Sequence, residues 1–513
     1  MFRRFPKGAK VEGGLVAAAL VALSLAATEG SFAGEKETTD PAVTDAVEDE
    51  LVFDRSIFAN DIDVRTEDGI VHLIGIVDNL RAKERAERIA ETVRGVRSVS
   101  NRIRVVPIPP RTDWEIEKDV EAGLRQDRAT ESWEIDVLVS DGKVQLVGPV
   151  DSWQEKRLAG KVASGVRGVR AVDNDITVRF DEKRADEEIE ADIDRRLHWS
   201  VLVDDAMIDV TVDDGEVSLT GIVGSAAEKR QARRLAWVAN VESVDVSNLE
   251  VKWWWRDERL RENKYVDASP AEVERAIGEA LAQDPRVRGT RLSADFEDGQ
   301  AILRGTVDHV RAKRSAAQVA RNTIGVRYVE NRIKVRPGEP DDAKIEKYLG
   351  DALARNPHVE RHEIDVDVVN GVARLSGTVV SYFEKGEADD IAARTTGVKE
   401  VRNDIDVEHD RIPIAYDPFL HDIYPYDYGW YDYQPYETFR TDEEIREEIR
   451  DQIWWSPFVD AKEVKVTVED GRARLTGTVD TWSEKAAATE SAYEGGAVWV
   501  DNDLEVAGDG GRS

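Results

Sequence analysis

The chain of 513 residues contains no cysteine, two methionines and seven histidines. The first absence excludes a disulfide scaffold, thiolate chemistry, cysteine zinc sites and a cysteine-linked lipid anchor. The histidines are scattered, with no pair at metal-ligand spacing, so no metal or cofactor is expected. There is no phosphate-loop pattern, no Ser-His-Asp arrangement and no calcium loop of alternating aspartates. Carboxylates are plentiful, yet no pair stands apart in apolar surroundings, and an enzyme is not expected. Basic residues are too few to offset the acidic ones, and the formal net charge is −33. That argues against nucleic acid as a partner.

Long hydrophobic runs are absent too, with one exception near the start. Arg3, Arg4, Lys7 and Lys10 precede an apolar stretch from Leu15 to Ala27, followed by Ser31-Phe32-Ala33. This three-part pattern reads as a secretory signal over residues 1–33 with cleavage after Ala33. Its removal takes away four basic and two acidic side chains and leaves a net charge of −35. The mature protein is expected in the periplasm or otherwise associated with the cell envelope.

What the chain does have is one unit written six times. An acidic or amide residue followed by glycine recurs at Gly69, Gly142, Gly215, Gly299, Gly371 and Gly471. Six residues beyond each stands a second glycine, at Gly75, Gly148, Gly221, Gly305, Gly377 and Gly477. The period is 73, 73, 84, 72 and 100 residues. Apolar residues alternate on both sides of each turn, which predicts a β-hairpin whose first glycine supplies positive φ. The second glycine falls on an inward position of the returning strand, where a helix is expected to pack close to the backbone.

A helix follows, starting at Asn79, Ser152, Ser225, His309, Ser381 and Thr481. All but His309 are good N-caps, and Glu155, Glu228, Glu384 and Glu484 complete a capping-box pattern. One position further is a lysine in every copy: Lys83, Lys156, Lys229, Lys313, Lys385 and Lys485. These helices are expected to end with C-caps near Gly95, Gly168, Asn240, Gly325, Gly397 and Gly496. A valine-rich strand closes each unit, and in five copies an asparagine (Asn101, Asn174, Asn331, Asn403, Asn502) is placed to bond locally at its start. An acidic amphipathic helix precedes each hairpin, as in Ile189, Ile193 and Leu197.

The expected fold class is therefore α+β: tandem two-layer αββαβ domains, each a three-stranded sheet covered by two helices. The units span residues 38–106, 113–179, 183–253, 269–336, 341–409 and 441–507. A linker at 254–268 separates the third and fourth. A second linker, 411–440, holds seven of the twelve tyrosines among prolines and aspartates. Short, proline-containing connections are expected to limit motion between units.

This pattern resembles the BON domain, named for bacterial osmotic-stress and nodulation proteins. The resemblance rests on the turn glycines, as in Asp214-Gly215 with Gly221, on the capped helix with Ser225, Glu228 and Lys229, and on the closing strand with its asparagine. It implies the αββαβ fold, an envelope setting, and a non-enzymatic role at phospholipid surfaces under osmotic stress. The candidate binding residues are the six lysines, as phosphate or headgroup contacts, and Trp153, Tyr382 and Trp482, as hydrophobic tips of the capped helix. Tyr424, Tyr426, Tyr428, Trp430, Tyr431 and Tyr433 form an aromatic patch suited to a membrane interface, a glycan or a protein partner. The same lysines also suit a structural place along the helix, and Trp199, Trp454 and Trp455 suit anchors between units. The alternative function is an acidic periplasmic scaffold, or chaperone-like protein, for protein partners.

Overall fold

A computed structural model describes residues 38–54, 57, 62–127, 134–180, 183–252, 268–284, 286–287, 291–338, 341–359, 363–379, 382–407, 441–469, 471–497 and 499–506. The signal segment, the tryptophan-bearing linker and the aromatic linker lie outside them.

Each unit begins with an amphipathic helix: Asp40–Phe53, Asp113–Gln126, Asp186–Trp199, Pro270–Gln283, Asp342–Arg355 and Asp442–Trp455. A hairpin follows, as in Ile208–Asp213 and Glu216–Val223, then a second helix, as in Ala226–Ala236. The returning strand is central in every sheet, antiparallel to its hairpin partner and parallel to the closing strand. In units 1, 3 and 4 the closing strand is split into two short segments. The six sheets remain separate, and each unit has its own core built from the inner sheet face and both helices.

The turn chemistry is as the sequence suggests, with an addition. Asp214 and Gly215 both have positive φ, 48° and 79°, and the other described turns follow suit. Outside unit 4, these turns bond back to the first helix. Asp186, at the start of the first helix, accepts from the N–H groups of Asp214 (2.8 Å) and Gly215 (3.1 Å). Asp40, Asp113, Asp342 and Asp442 make the same latch in their units.

Three local expectations need correction and a fourth an addition. The second glycine faces no helix: a Cβ at Gly221 would lie 1.9 Å from the Met207 carbonyl oxygen, and one at Gly377 would lie 2.0 Å from that of Glu363. The start of the partner strand occupies that space. In unit 1 the second helix stops before the glycine, since Leu80–Glu91 is capped by Thr92 and Gly95, at φ +90°, lies in the following turn, whereas in unit 6 Trp482–Glu494 ends on Gly495 with Gly496 next at φ +96°, as expected. The capping-box glutamates reach past the N-cap. Glu228 accepts from Gly224 N–H (2.8 Å) and from Asp204 N–H in the loop after the first helix (2.6 Å). Glu484 repeats this with Asp480 and Asp460, both at 2.8 Å. The asparagines bond locally as expected, Asn331 Oδ1 accepting from Ile333 N–H (3.2 Å), and also reach the second helix, Asn331 Nδ2 donating to the Lys313 carbonyl (2.7 Å).

A domain of this size buries too little surface to be robust alone. Here the units also bury surface against one another, and not only against chain neighbours. Three contacts share one geometry, in which a backbone N–H after the second helix donates to the last carbonyl of another unit's first helix. They are Arg94 to Trp455 (3.0 Å), Arg167 to Arg355 (2.8 Å) and Ile324 to Trp199 (3.1 Å). These pair unit 1 with 6, 2 with 5 and 4 with 3. Other contacts join units 1 and 5 (Arg81 to Glu387, 2.6 and 2.9 Å), 2 and 4 (Arg311 to Asp127), and 3 and 6 (Phe458 against Leu202 and Ala227). Taken in turn, these contacts close a ring in the order 1, 6, 3, 4, 2, 5.

The first residue of the second helix adds a further set. Leu80 enters the core of unit 2, Trp153 packs on Trp237 of unit 3, and Ala226 enters the core of unit 1. Val310 of unit 4 likewise enters the core of unit 5. Units 1, 2 and 3 are thus joined head to tail. Burying a side chain of the size of Leu80 contributes about 1.5–3 kcal/mol.

Candidate binding surfaces

The six lysines sit at one register, on the second helix beside the closing strand. Their backbone carbonyls receive the asparagine in units 1, 2, 4, 5 and 6. Lys485 Nζ donates to the Leu504 carbonyl at 2.7 Å. The ammonium of Lys156 lies 5.4 Å from the centroid of the Trp153 ring. Burial holds Lys156 and Lys229 below the ordinary lysine range, opposed by Asp175 and Asp245 respectively. Lys83, Lys313 and Lys385 are half-buried. Lys156 and Lys485 thus place their ammonium groups against their own units.

Trp153 is not an exposed tip. It is half-buried, its ring lies 4.3 Å from that of Trp237 between centroids, and its Nε1 donates to the Val241 carbonyl at 3.0 Å. The side chains of Tyr382 and Trp482 lie outside the described residues, as do Tyr424, Tyr426, Tyr428, Trp430, Tyr431 and Tyr433. The anchors fare as the sequence suggests: Trp199 packs on the core of unit 4 and Trp455 on that of unit 1. Arg94 lies 5.0 Å from the centroid of Trp454.

With helices used for contacts between units, each unit is left with the outward face of its sheet. On most units that face is polar and self-paired. Arg472 and Arg474 bond Asp501 and Asp503 across the last two strands of unit 6, and Arg374 pairs with Asp404 in unit 5. Unit 1 differs. Ile70, Ile74 and Ile76 stand in a row on its central strand, 37%, 40% and 41% exposed. The matching residues are Arg472, Thr476 and Thr478 in unit 6 and Glu216, Thr220 and Ile222 in unit 3. Val106 and Ile108 extend the row, the latter 75% exposed. Arg65 lies opposite His72 on one flanking strand, Arg104 beside Ile76 on the other, and Arg102 is also exposed. The face is thus an apolar stripe with Arg102 and Arg104 along one side, while on the other Glu67 lies opposite Ile70 and Asp63, paired with Arg65 at 2.9 Å, lies opposite Ile74. It was missed in sequence because alternation alone does not say which residues of a strand face water; the run Ile70, Ile74, Ile76 was the available signal.

Among the described residues no cluster of His, Asp and Glu is arranged to hold a metal ion. Among the same residues no helix is long and apolar enough to cross a membrane.

The family model described as "BON domain" matches residues 39–107, 112–179, 185–252, 269–337, 341–409 and 441–508. Osmotically-inducible protein Y of Escherichia coli (strain K12) is 33% identical over 146 residues, covering 27% of this chain and 73% of the relative. Two structures of CdsD, described as a structural protein of the type III secretion system of Chlamydia trachomatis, also match. The one described as its C-terminal domain is 18% identical, with 44% of this chain and 100% of that chain covered and a TM-score of 0.13. The other is 17% identical, with 44% and 94% covered and a TM-score of 0.12. Those scores are too low to compare architectures.

Proposed function

The chain belongs to the BON domain family, and on that premise we propose that it is a non-catalytic binding protein of the cell envelope that meets acidic phospholipid surface through unit 1. The relative named for osmotic induction supports a role under osmotic stress. The leader around Leu15–Ala27 supports export, with cleavage near Ala33. The observation that carries the reading is the row Ile70, Ile74, Ile76 with Arg102 and Arg104 beside it. Contiguous exposed apolar surface marks contact sites. Arginines at its edge suit acidic headgroups, against which the chain's net charge of −33 would otherwise be repelled within a Debye length. The apolar side chains then enter the interfacial layer, while the remaining acidic units stay in water.

The test is co-sedimentation of the mature chain with vesicles containing or lacking acidic lipid. Binding to the acidic vesicles, lost in Ile74→Asp/Ile76→Asp and weakened by high salt, is expected. Equal recovery of wild type and variant in the pellet, or of neither, would sink the reading.

A further inference from the structure

Five units hold the hairpin turn with an aspartate at the start of the first helix, 29 residues before the turn glycine. In unit 4 that place falls to Pro270, and among the described residues no side chain accepts from the N–H groups of Asp298 or Gly299. The turns are otherwise alike. Asp298 and Gly299 have φ of 49° and 82°, against 48° and 79° for Asp214 and Gly215. Asp68, Asp141, Asp214 and Asp298 are all exposed. A basic side chain lies by the turn with or without the latch: Arg97 donates to the Asp68 carbonyl at 3.3 Å, and Arg327 to that of Asp298 at 3.4 Å. What unit 4 lacks is the carboxylate.

An Asp-Gly pair carries a reaction within itself. The glycine nitrogen, having lost its proton to solvent, bonds to the side-chain carboxyl carbon of the aspartate before it. Glycine has no Cβ to obstruct that approach. The displaced carboxyl oxygen leaves as water, and a five-membered imide remains. Water then reopens the ring at either carbonyl. One opening returns aspartate, and the other leaves isoaspartate, with the chain running through the former side chain. At Asn370-Gly371 the same closure expels ammonia instead. The step that a neighbour controls is loss of the proton from nitrogen. A carboxylate 2.8–3.1 Å from that nitrogen binds the N–H and repels the anion that its loss creates. Carboxylates are far too weak as bases to take an amide proton outright. Arg327, beside Gly299, favours the anion instead.

We propose that Asp298 is the chain's site of spontaneous isoaspartate formation, and that in the other units the aspartate latch guards the turn against the same reaction. The modification has a structural consequence. The two-residue turn is fixed between Glu297 and Gln300, which pair across the hairpin. Isoaspartate adds a backbone carbon there, so ageing disturbs the strand register of unit 4. The outward face of unit 1 plays no part in this chemistry, which holds whether or not vesicles bind.

Isoaspartate mapping of the aged protein tests this. The mature chain is held folded in warm neutral buffer and digested, and its peptides are labelled with an isoaspartate methyltransferase. The same incubation in guanidinium chloride gives the rate of each turn without the fold. Normalised to that rate, Asp298 should react at least fivefold faster than Asp68, Asp141 or Asp214. Pro270→Asp, which supplies the missing carboxylate, should slow Asp298 to their level. Asp186→Asn keeps an acceptor and removes the charge, and should raise the rate at Asp214 at least threefold. Asp342→Ala should likewise hasten loss of ammonia from Asn370. Should Pro270→Asp fail to fold, Asp186→Asn carries the test. Equal normalised rates at the four turns overturn the proposal. So does a rate at Asp298 unchanged in folded Pro270→Asp, or one at Asp214 unchanged in Asp186→Asn.

Discussion

Arg311 of unit 4 donates through one guanidinium nitrogen to both carboxylate oxygens of Asp127 in unit 2, at 3.1 and 3.0 Å, across 184 residues of sequence. Their side chains are 1% and 3% exposed. Two charges so deeply desolvated are tolerated because each matches the other, and removing one leaves the other buried and uncompensated. Asp127→Ala is therefore expected to cost about 3–5 kcal/mol in urea unfolding. The double change Arg311→Met/Asp127→Leu should recover most of that loss, since an apolar pair of similar bulk needs no partner. Equal stability of wild type and Asp127→Ala would mean that units 2 and 4 do not meet there.

Two glycines offer a test of opposite signs. At Gly377, φ is +125° and an added Cβ would lie 2.0 Å from the Glu363 carbonyl, a backbone atom that cannot move aside cheaply. Gly377→Ala should destabilise unit 5 by more than the ~1–3 kcal/mol of backbone strain alone. Gly278, inside the helix Pro270–Gln283, has open space around its Cβ position. There alanine should stabilise by about 0.5–1 kcal/mol, because less chain entropy is lost on folding. Thermal melts of the two variants should move in opposite directions.

The contrast between these glycines shows what could be read from the residues alone. The hairpins follow from alternation around Asp-Gly, because period two and a φ-positive pair are local properties. The aspartate latch was also within reach: Asp40, Asp113, Asp186, Asp342 and Asp442 recur at a fixed distance before the turns. They read as helix-start acids, however, and nothing local says that their acceptors serve a turn elsewhere. The contacts between units were not legible. Arg81 and Arg311 share a register with Gln154, Ala227 and Phe383, and these five residues make different contacts. A repeat shows what all copies share, whereas a closed set of contacts depends on how they differ. The outward row of isoleucines was hidden for the same reason, as a feature of one copy only.

The junction of units 1 and 5 makes stability depend on pH. His358 is held at about 3, first by burial, then by Arg81, with Arg85 adding and with Glu387 and Asp54 opposing. A histidine depressed in the folded state contributes stability that is full above the unfolded value of about 6.5. That stability is lost as pH falls toward 3. Asp390 acts in the other direction: burial raises it to about 6, opposed by Arg394 and Arg311. Its folded form favours the proton, so stability falls as pH rises from about 4 to 6. The two partly cancel in the wild type. His358→Gln should therefore flatten the acid loss by up to about 3 kcal/mol between pH 7 and 4. Asp390→Asn should steepen the net acid loss over the same range by removing the opposing contribution. Urea midpoints measured at half-unit steps of pH would show both, and profiles identical to wild type would contradict the burial of these two groups.

The ring of contacts also makes a prediction about halves of the chain. The contacts joining 1 with 6, 2 with 5, 3 with 4, and then 1 with 5, 2 with 4 and 3 with 6, all cross between the first three units and the last three. Each half taken alone leaves Asp127 or Arg311 without its mate, and Trp199 and Trp455 without the cores they cover. Residues 38–252 and 268–507, produced separately and mixed at micromolar concentration, should therefore co-elute as a one-to-one complex. Neither should remain a well-behaved monomer in isolation. Trp199→Ala in one half and Val310→Asp in the other separate the two kinds of contact. The first removes a contact between halves and should weaken association, whereas the second acts within the half that carries units 4 and 5. Two folded monomers that ignore each other would return the molecule to six independent modules, held together by linkers alone.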